Sequence, residues 1–436
     1  MTSDNSEKTA SLQGLSGKLP YYIAFFATII RYYDYALFGL SASVLAANFM
    51  PSGSSSDKLL DFFMIFSFSV VARPVGAIIF GRIADRIGRA ASVKITTIVA
   101  ALSTAMIALL PNYKTVGFIA TIAVILCRML FLMSLAGEAD AIKIYVAEKI
   151  GKKHRNLSSG FISFLAQIGA LIAACMYNFT ISFEHLSWLW RINFIIGGIL
   201  GLLAFYLRNH LQESQYYLDS KTKYAEQFLD FSLIKLVAKN KRKFFLAMVI
   251  NGGSGASYNF LVIFLSTFVS SVIGSMSQSD AAMHNILLII LYAIGCLISG
   301  SLADRAAAIY KQSIVSLVSC LVIIFVLQLA GAYNLFIFPL HLLTVIFVPL
   351  YTIPLQVKLQ SMFPVSIRVR MCSLAHSLGS MIFSATIPFL SMLIWKYTEN
   401  FSVVYIYFAL LLVMMIFASF MIMQDAYENM FEDNSR

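Results

Sequence analysis

Long apolar runs recur along the whole chain between residues 20 and 423, each followed by a short polar break. A helix needs ~20 apolar residues to cross a bilayer. Twelve runs meet that need, at 20–49, 60–80, 91–110, 116–147, 157–181, 187–208, 244–272, 281–301, 313–331, 335–360, 369–394 and 401–423. The breaks carry residues that stop helices, as in Met50-Pro51-Ser52-Gly53 and Pro111-Asn112-Tyr113. The pattern predicts an all-α membrane protein of twelve transmembrane helices.

The longest polar stretch, 209–243, divides the runs six and six. It predicts a tail at 1–19, a first six-helix bundle at 20–208, a central loop at 209–243, a second bundle at 244–423 and a tail at 424–436. A repeated motif supports duplication. Gly81-Arg82-Ile83-Ala84-Asp85-Arg86-Ile87-Gly88-Arg89 ends the second run, and Gly300-Ser301-Leu302-Ala303-Asp304-Arg305 ends the eighth. A Gly-x-x-x-Asp-Arg at matching places in two halves implies two pseudo-symmetric bundles, the architecture of secondary transporters that close around a midplane site. The glycine permits close helix contact. The aspartate can face an arginine or the positive N-terminal end of a neighbouring helix.

Composition agrees. The chain is 59% hydrophobic and 12% charged, which no soluble domain of 436 residues requires. Its net charge of +11 falls mostly in loops on one side of the predicted membrane. That is the positive-inside pattern rather than a nucleic-acid footprint. The basic 209–243 segment places both termini in the cytoplasm. Residues 1–20 lack the basic region and short apolar core of a cleaved signal. Five cysteines lie within apolar runs, without metal or redox spacing. There is no nucleophile–base pair, phosphate-cradling glycine loop or nucleotide domain, so neither an enzyme nor an ATP-driven pump is expected, and no cofactor or metal.

The first motif resembles the signature loop of the major facilitator superfamily. Other segments narrow the resemblance: Ala72-Arg73-Pro74-Val75-Gly76, Cys127-Arg128-Met129-Leu130, Gly137-Glu138, Tyr145-Val146-Ala147-Glu148, Gln167 before Gly169, Trp190-Arg191-Ile192 and Leu211-Gln212-Glu213-Ser214. Together they are similar to the metabolite–proton symporter branch, which includes the proline/betaine transporter. The resemblance spans nearly the whole chain and is denser in the first half. It implies the major facilitator fold, alternating access, and proton-driven import of small zwitterions or carboxylates by a monomer in the cytoplasmic membrane.

Charges inside a membrane are costly, so each is a functional candidate. They are Arg31, Asp34, Arg128, Glu138, Asp140 and Lys143 in the first half, then Lys358, with His341 and His376 as weaker candidates. Arg31 and Asp34 are three apart and share a helix face. The family pattern there is Glu-Trp-Phe-Asp, whereas this chain reads Arg31-Tyr32-Tyr33-Asp34, a reversal of charge at the first position. The resemblance makes Asp34 and Glu138 the proton-coupling candidates. It makes Arg31, Arg128, Gln167, Tyr258 and Asn259 the substrate candidates. Gly81, Asp85, Arg86, Gly88, Arg89, Asp304 and Arg305 are the gating candidates. Asp140 and Lys143, also three apart, are a possible ion pair.

The function expected is proton-coupled symport of a small zwitterion or organic acid such as proline or glycine betaine. The alternatives are a dicarboxylate or citrate symporter, an uncoupled facilitator, and a solute sensor that does not transport.

Overall fold

The computed structural model describes residues 23, 25–51, 53–86, 89–136, 143, 154–183, 186, 188–208, 233–274, 276–305, 309–330, 337–363 and 365–434. Among them there is no strand. Ten helices are long and apolar enough to cross a membrane. The other two predicted spans are 25–40 with Ala42–Phe49, and the shorter apolar helix Lys311–Leu327.

Span one is 25–40 continued by Ala42–Phe49. Span two is Ser55–Ser69 with Ala72–Arg86, span three Arg89–Leu109, span four Phe118–Leu135, span five Arg155–Ile181 and span six Trp190–Arg208. Span seven runs from Lys241–Tyr258 through two π-helical segments, Asn259–Phe264 and Val269–Ile273. Span eight is Gln278–Arg305, span nine Ile309–Ala330 and span ten Ile337–Ser361. Span eleven joins Val365–Gly379, a π segment Ser380–Ser384, and Thr386–Thr398. Span twelve is Phe401–Asn434.

Two boundaries differ from expectation. Span four was expected to run to 147, but its regular helix stops at Leu135, where Ala136 turns extended (φ −64, ψ 127). The apolar composition continues past the break, so hydropathy alone misses it. Span twelve continues as helix to Asn434, beyond the expected end at 423. Helix propagation across Gln424 to Asn434 needs no apolar residues.

The helix pairs reveal the duplication. Span three packs on six as nine packs on twelve, and two on four as eight on ten. Spans two and eight even begin with the same cap. Ser54 Oγ accepts from the Asp57 N–H and donates to Asp57 Oδ2 (2.7 Å); Ser277 and Asp280 repeat both bonds. Each cap satisfies donors that a helix start leaves open.

Two symmetry-related pairs join the halves: five with eight, the most extensive interface, and two with eleven. Gly160 lies against the Cys296 carbonyl, and Gly300 faces Asn156 and Leu157, where a Cβ would meet backbone atoms at 2.7–2.8 Å. Small residues are what such backbone contact needs. Span seven is the most enclosed, with 72% of its apolar window buried against 39% for spans six and twelve. The outer surface is apolar, with Leu109, Ile119 and Phe417 all more than half exposed. That suits lipid and not water.

Candidate functional site

The first-half centre is built on span one. Tyr33 donates its hydroxyl to the Asn193 carbonyl of span six (2.8 Å), which fixes the rotation of span one. The next residue, Asp34, is thereby turned inward and is 4% exposed. Thr104 of span three donates to its carboxylate. Oδ1 lies against Gly197 of span six, a place where a Cβ would collide with it, and has no hydrogen-bond partner. Arg31, one helical turn earlier, and Arg128 of span four are its charged neighbours.

Arg128 is 2% exposed and surrounded by rings. Its guanidinium lies 4.3 Å from the Phe38 centroid, 5.2 Å from Tyr35 and Phe131, and 5.7 Å from Phe66. A long bond to the Tyr35 carbonyl (3.5 Å) adds little; Nε has no partner. Cation–π attraction to four desolvated faces, about 2 kcal/mol each at best, holds the charge. Arg73 of span two is also buried, within electrostatic reach of Arg128, and its Nε too lacks a partner. Two buried arginines thus flank one buried carboxylate, and a third lies beside Arg128.

Polar groups converge from both halves beside this centre. Tyr32 and Tyr35 meet edge to face (6.3 Å), as do Tyr258 and Tyr292 (5.5 Å). The two pairs lie within electrostatic reach of one another. Tyr292 is bonded to Thr352. Lys143 donates Nζ to Gln356 Oε1 (3.1 Å), crossing from the first half to span ten. Cys296 lies near both Lys143 and Tyr292. No group of three potential metal ligands occurs among the described residues.

Solved structures share this arrangement of helices, and sequence relatives span most of the chain. Residues 21–229 match the family described as "Sugar (and other) transporter". The citrate-proton symporter of Salmonella typhi is 27% identical over 85% of this chain and 86% of its own length. The proline/betaine transporter of Salmonella typhimurium is 26% identical over 82% of this chain and 74% of its own. The crystal structure of a D-xylose-proton symporter superposes with a TM-score of 0.72 at 18% identity, covering 92% of this chain and 96% of that one. A major facilitator superfamily proton:xylose symporter gives 0.70 at 15% identity, over 91% and 93%. The chain has the major facilitator fold.

Within this major facilitator fold, the structure brings Arg31, Asp34 and Arg128 together. Gln167 of span five is 7% exposed, and its Oε1 has no hydrogen-bond partner. Tyr258 lies in the tyrosine group. Asn259 is occupied differently: its amide donates to the Ser384 carbonyl (2.9 Å) and hydroxyl (3.1 Å), joining the π segments of spans seven and eleven. Glu138 and Asp140 lie outside the described residues. So does Gly88, while for Gly81, Asp85, Arg86 and Arg89 the helical backbone alone is described.

Asp304 makes the contact that the motif chemistry suggested. Its Oδ1 accepts from the backbone and side-chain amides of Asn156 (both 2.9 Å), and Oδ2 from the Leu157 N–H (2.8 Å). Span five has no side-chain cap of its own, so an aspartate from span eight caps it. Arg305 is exposed. At the opposite end of the bundle Lys396 of span eleven pairs with Asp57 of span two (2.9 Å), and Ser67 donates to the Ala385 carbonyl (2.6 Å).

Sequence reasoning passed over Arg73, Thr104, Gly197 and Gln356 as site residues. Arg73 carried a readable signal, a charge inside an apolar run. The other three carried none, because only tertiary contact brings them to the centre.

Proposed function

We propose that the chain is a proton-coupled symporter of a small organic carboxylate, of the citrate type before the proline/betaine type. The observation behind this is the cluster of buried arginines. Arg31 and Arg128 are the charged neighbours of buried Asp34, and buried Arg73 lies within electrostatic reach of Arg128. A buried arginine cluster inside a membrane protein is a candidate site for an anion. Arginine is also the side chain best shaped for a carboxylate. The replacement of the family's glutamate by Arg31 moves the balance in the same direction. Asp34 is the proton carrier in this reading, with Glu138 a second candidate on resemblance alone.

The chain would then work as a monomer in the cytoplasmic membrane, with residues 20–208 and 244–423 as the two rocking bundles and both termini cytoplasmic. Spans one, four, five, seven, eight, ten and eleven would line the path. The tyrosine group supports a second reading. Its ring faces suit a quaternary ammonium, so a zwitterion could place its carboxylate on arginine and its cation on tyrosine.

Uptake of labelled citrate, proline and glycine betaine into liposomes holding the pure protein, with and without an inward proton gradient, tests this. Gradient-dependent accumulation of citrate is expected. Accumulation of proline or betaine instead would favour the second reading. Uptake that only equilibrates would remove proton coupling.

A further inference from the structure

We propose that Tyr33 is a positioning residue that keeps Asp34 out of an ion pair, and so leaves it able to take up a proton. The inference rests on the reading of Asp34 as proton carrier and adds the residue on which that role depends.

Tyr33 and Asp34 are neighbours in the chain, and both touch the same turn of span six. The Tyr33 hydroxyl donates to the Asn193 carbonyl (2.8 Å), and Asp34 Oδ1 lies against Gly197, four residues further on. That spacing is one helical turn. All four residues are buried. Asn193 is itself held, because its side-chain amide donates to Thr180 Oγ1 of span five (3.0 Å). On the other side span five comes so close that a Cβ at Gly169 would meet the Tyr33 backbone nitrogen at 2.8 Å. Close backbone packing holds the two helices together. A hydrogen bond to one carbonyl adds a direction, and so sets the rotation of span one.

That rotation matters because of Arg128. The charged groups within electrostatic reach of Asp34 are Arg31 on its own helix and Arg128 on span four. Spans three and six present Thr104 and Gly197, which carry no charge. Rotating span one carries Arg31 and Asp34 together, but it changes the distance from Asp34 to Arg128. Among the described residues Asp34 forms no ion pair, and its Oδ1 has no hydrogen-bond partner. Opposite charges attract strongly where water is excluded. A carboxylate that closes on an arginine is held in its charged form and no longer carries a proton. The bond to Asn193 opposes that closure. It keeps the carboxylate at Gly197, near Arg128 and unpaired with it.

The test reads Asp34 directly, in the purified protein in liposomes. A protonated carboxyl has an infrared band of its own, and the band of Asp34 is the one missing in Asp34→Asn. Tyr33→Phe should lower that band about threefold at the pH where the unaltered protein shows half of it, since one hydrogen bond is worth about fivefold in an equilibrium. The loss should depend on Arg128: in an Arg128→Gln background, Tyr33→Phe should leave the band as it was. Thr180→Val removes a buried hydroxyl from the same cluster without touching Tyr33, and should not move the band, whereas a general loosening would. Gly197→Ala displaces the carboxylate from the same turn. It should lower the band as Tyr33→Phe does, and it stands as the test if Tyr33→Phe does not fold. A band unchanged in Tyr33→Phe, lowered equally by Thr180→Val, or lowered as much without Arg128, would overturn the positioning role and leave Asp34 the proton carrier. If no band disappears in Asp34→Asn, Asp34 takes up no proton, and the carrier reading fails together with the inference.

Discussion

Asp34 depends on a residue that has no side chain. Its Oδ1 rests against Gly197, with Thr104 and Tyr33 closing the same space, so the smallest substitution there pushes directly on the carboxylate. Asp34→Asn removes the proton and keeps the shape. It is expected to lower gradient-driven accumulation by about tenfold or more, while exchange of solute across the membrane persists. Gly197→Ala keeps the proton and disturbs the position, and should lower accumulation and exchange together. Comparing the two variants in both assays separates proton carriage from mere packing. If Asp34→Asn still accumulates substrate, Asp34 does not carry the proton. The sequence made part of this legible. Three-residue spacing put Arg31 and Asp34 on one face, and intramembrane charge singled out Arg128. The rings around Arg128 come from spans one, two and four, and no local pattern announces a cluster assembled from three separate segments. Lys143 shows the same limit. No spacing announces Gln356, 213 residues away, which accepts its hydrogen bond, and the suggested partner Asp140 lies outside the described residues.

Hydropathy found the spans, but it could not find where they turn π-helical. The π segments of spans seven and eleven keep the same apolar composition as the α-helix around them, and they differ only in which carbonyls are left over. Ser384 ends one such segment, and the amide of Asn259, at the start of another, takes its free carbonyl. That bond matches two irregularities in two helices. Asn259→Ala would leave a buried carbonyl unsatisfied, at a cost of about 1–3 kcal/mol. It should lower the unfolding temperature of the detergent-purified protein measurably, whereas Asn259→Ser, which can still donate, should recover part of the loss. A variant with unchanged stability and altered substrate preference would instead return Asn259 to the substrate group that the family resemblance suggested. Span four escaped hydropathy for a related reason. Its helix stops at Ala136 within an apolar stretch, and backbone geometry, not composition, marks the break. Helix starts are more legible. Ser54 with Asp57 and Ser277 with Asp280 are capping pairs written in the sequence, and their matching positions record the duplication as clearly as the glycine–aspartate motifs do.

The molecule is fastened between its halves at both ends, by contacts of unequal kind. At the end that carries the repeated motifs, Asp304 takes three hydrogen bonds from the start of span five. It is partly buried, and it also faces the positive end of a helix. At the other end the Lys396–Asp57 pair is about half exposed on each side chain (51% and 49%). An exposed pair contributes about 0–1 kcal/mol and weakens as salt screens it. Loss of a helix cap costs about 0.5–2 kcal/mol. The two fastenings sit on the symmetry-related interfaces, two with eleven and five with eight, so in the proposed rocking mechanism releasing one or the other would open opposite ends. The weaker one should release first. Spin labels on Lys58 and Tyr397, whose sites flank the ion pair, should therefore report a growing long-distance population as salt is raised. Labels on Leu157 and Arg305 should stay close under the same conditions. Asp304→Ala should reverse the order, separating the second label pair and drawing the first together. If salt instead opens the Asp304 end, helix capping is not what holds the halves together there. The preference for one open end would then have to come from the extensive packing of spans five and eight itself.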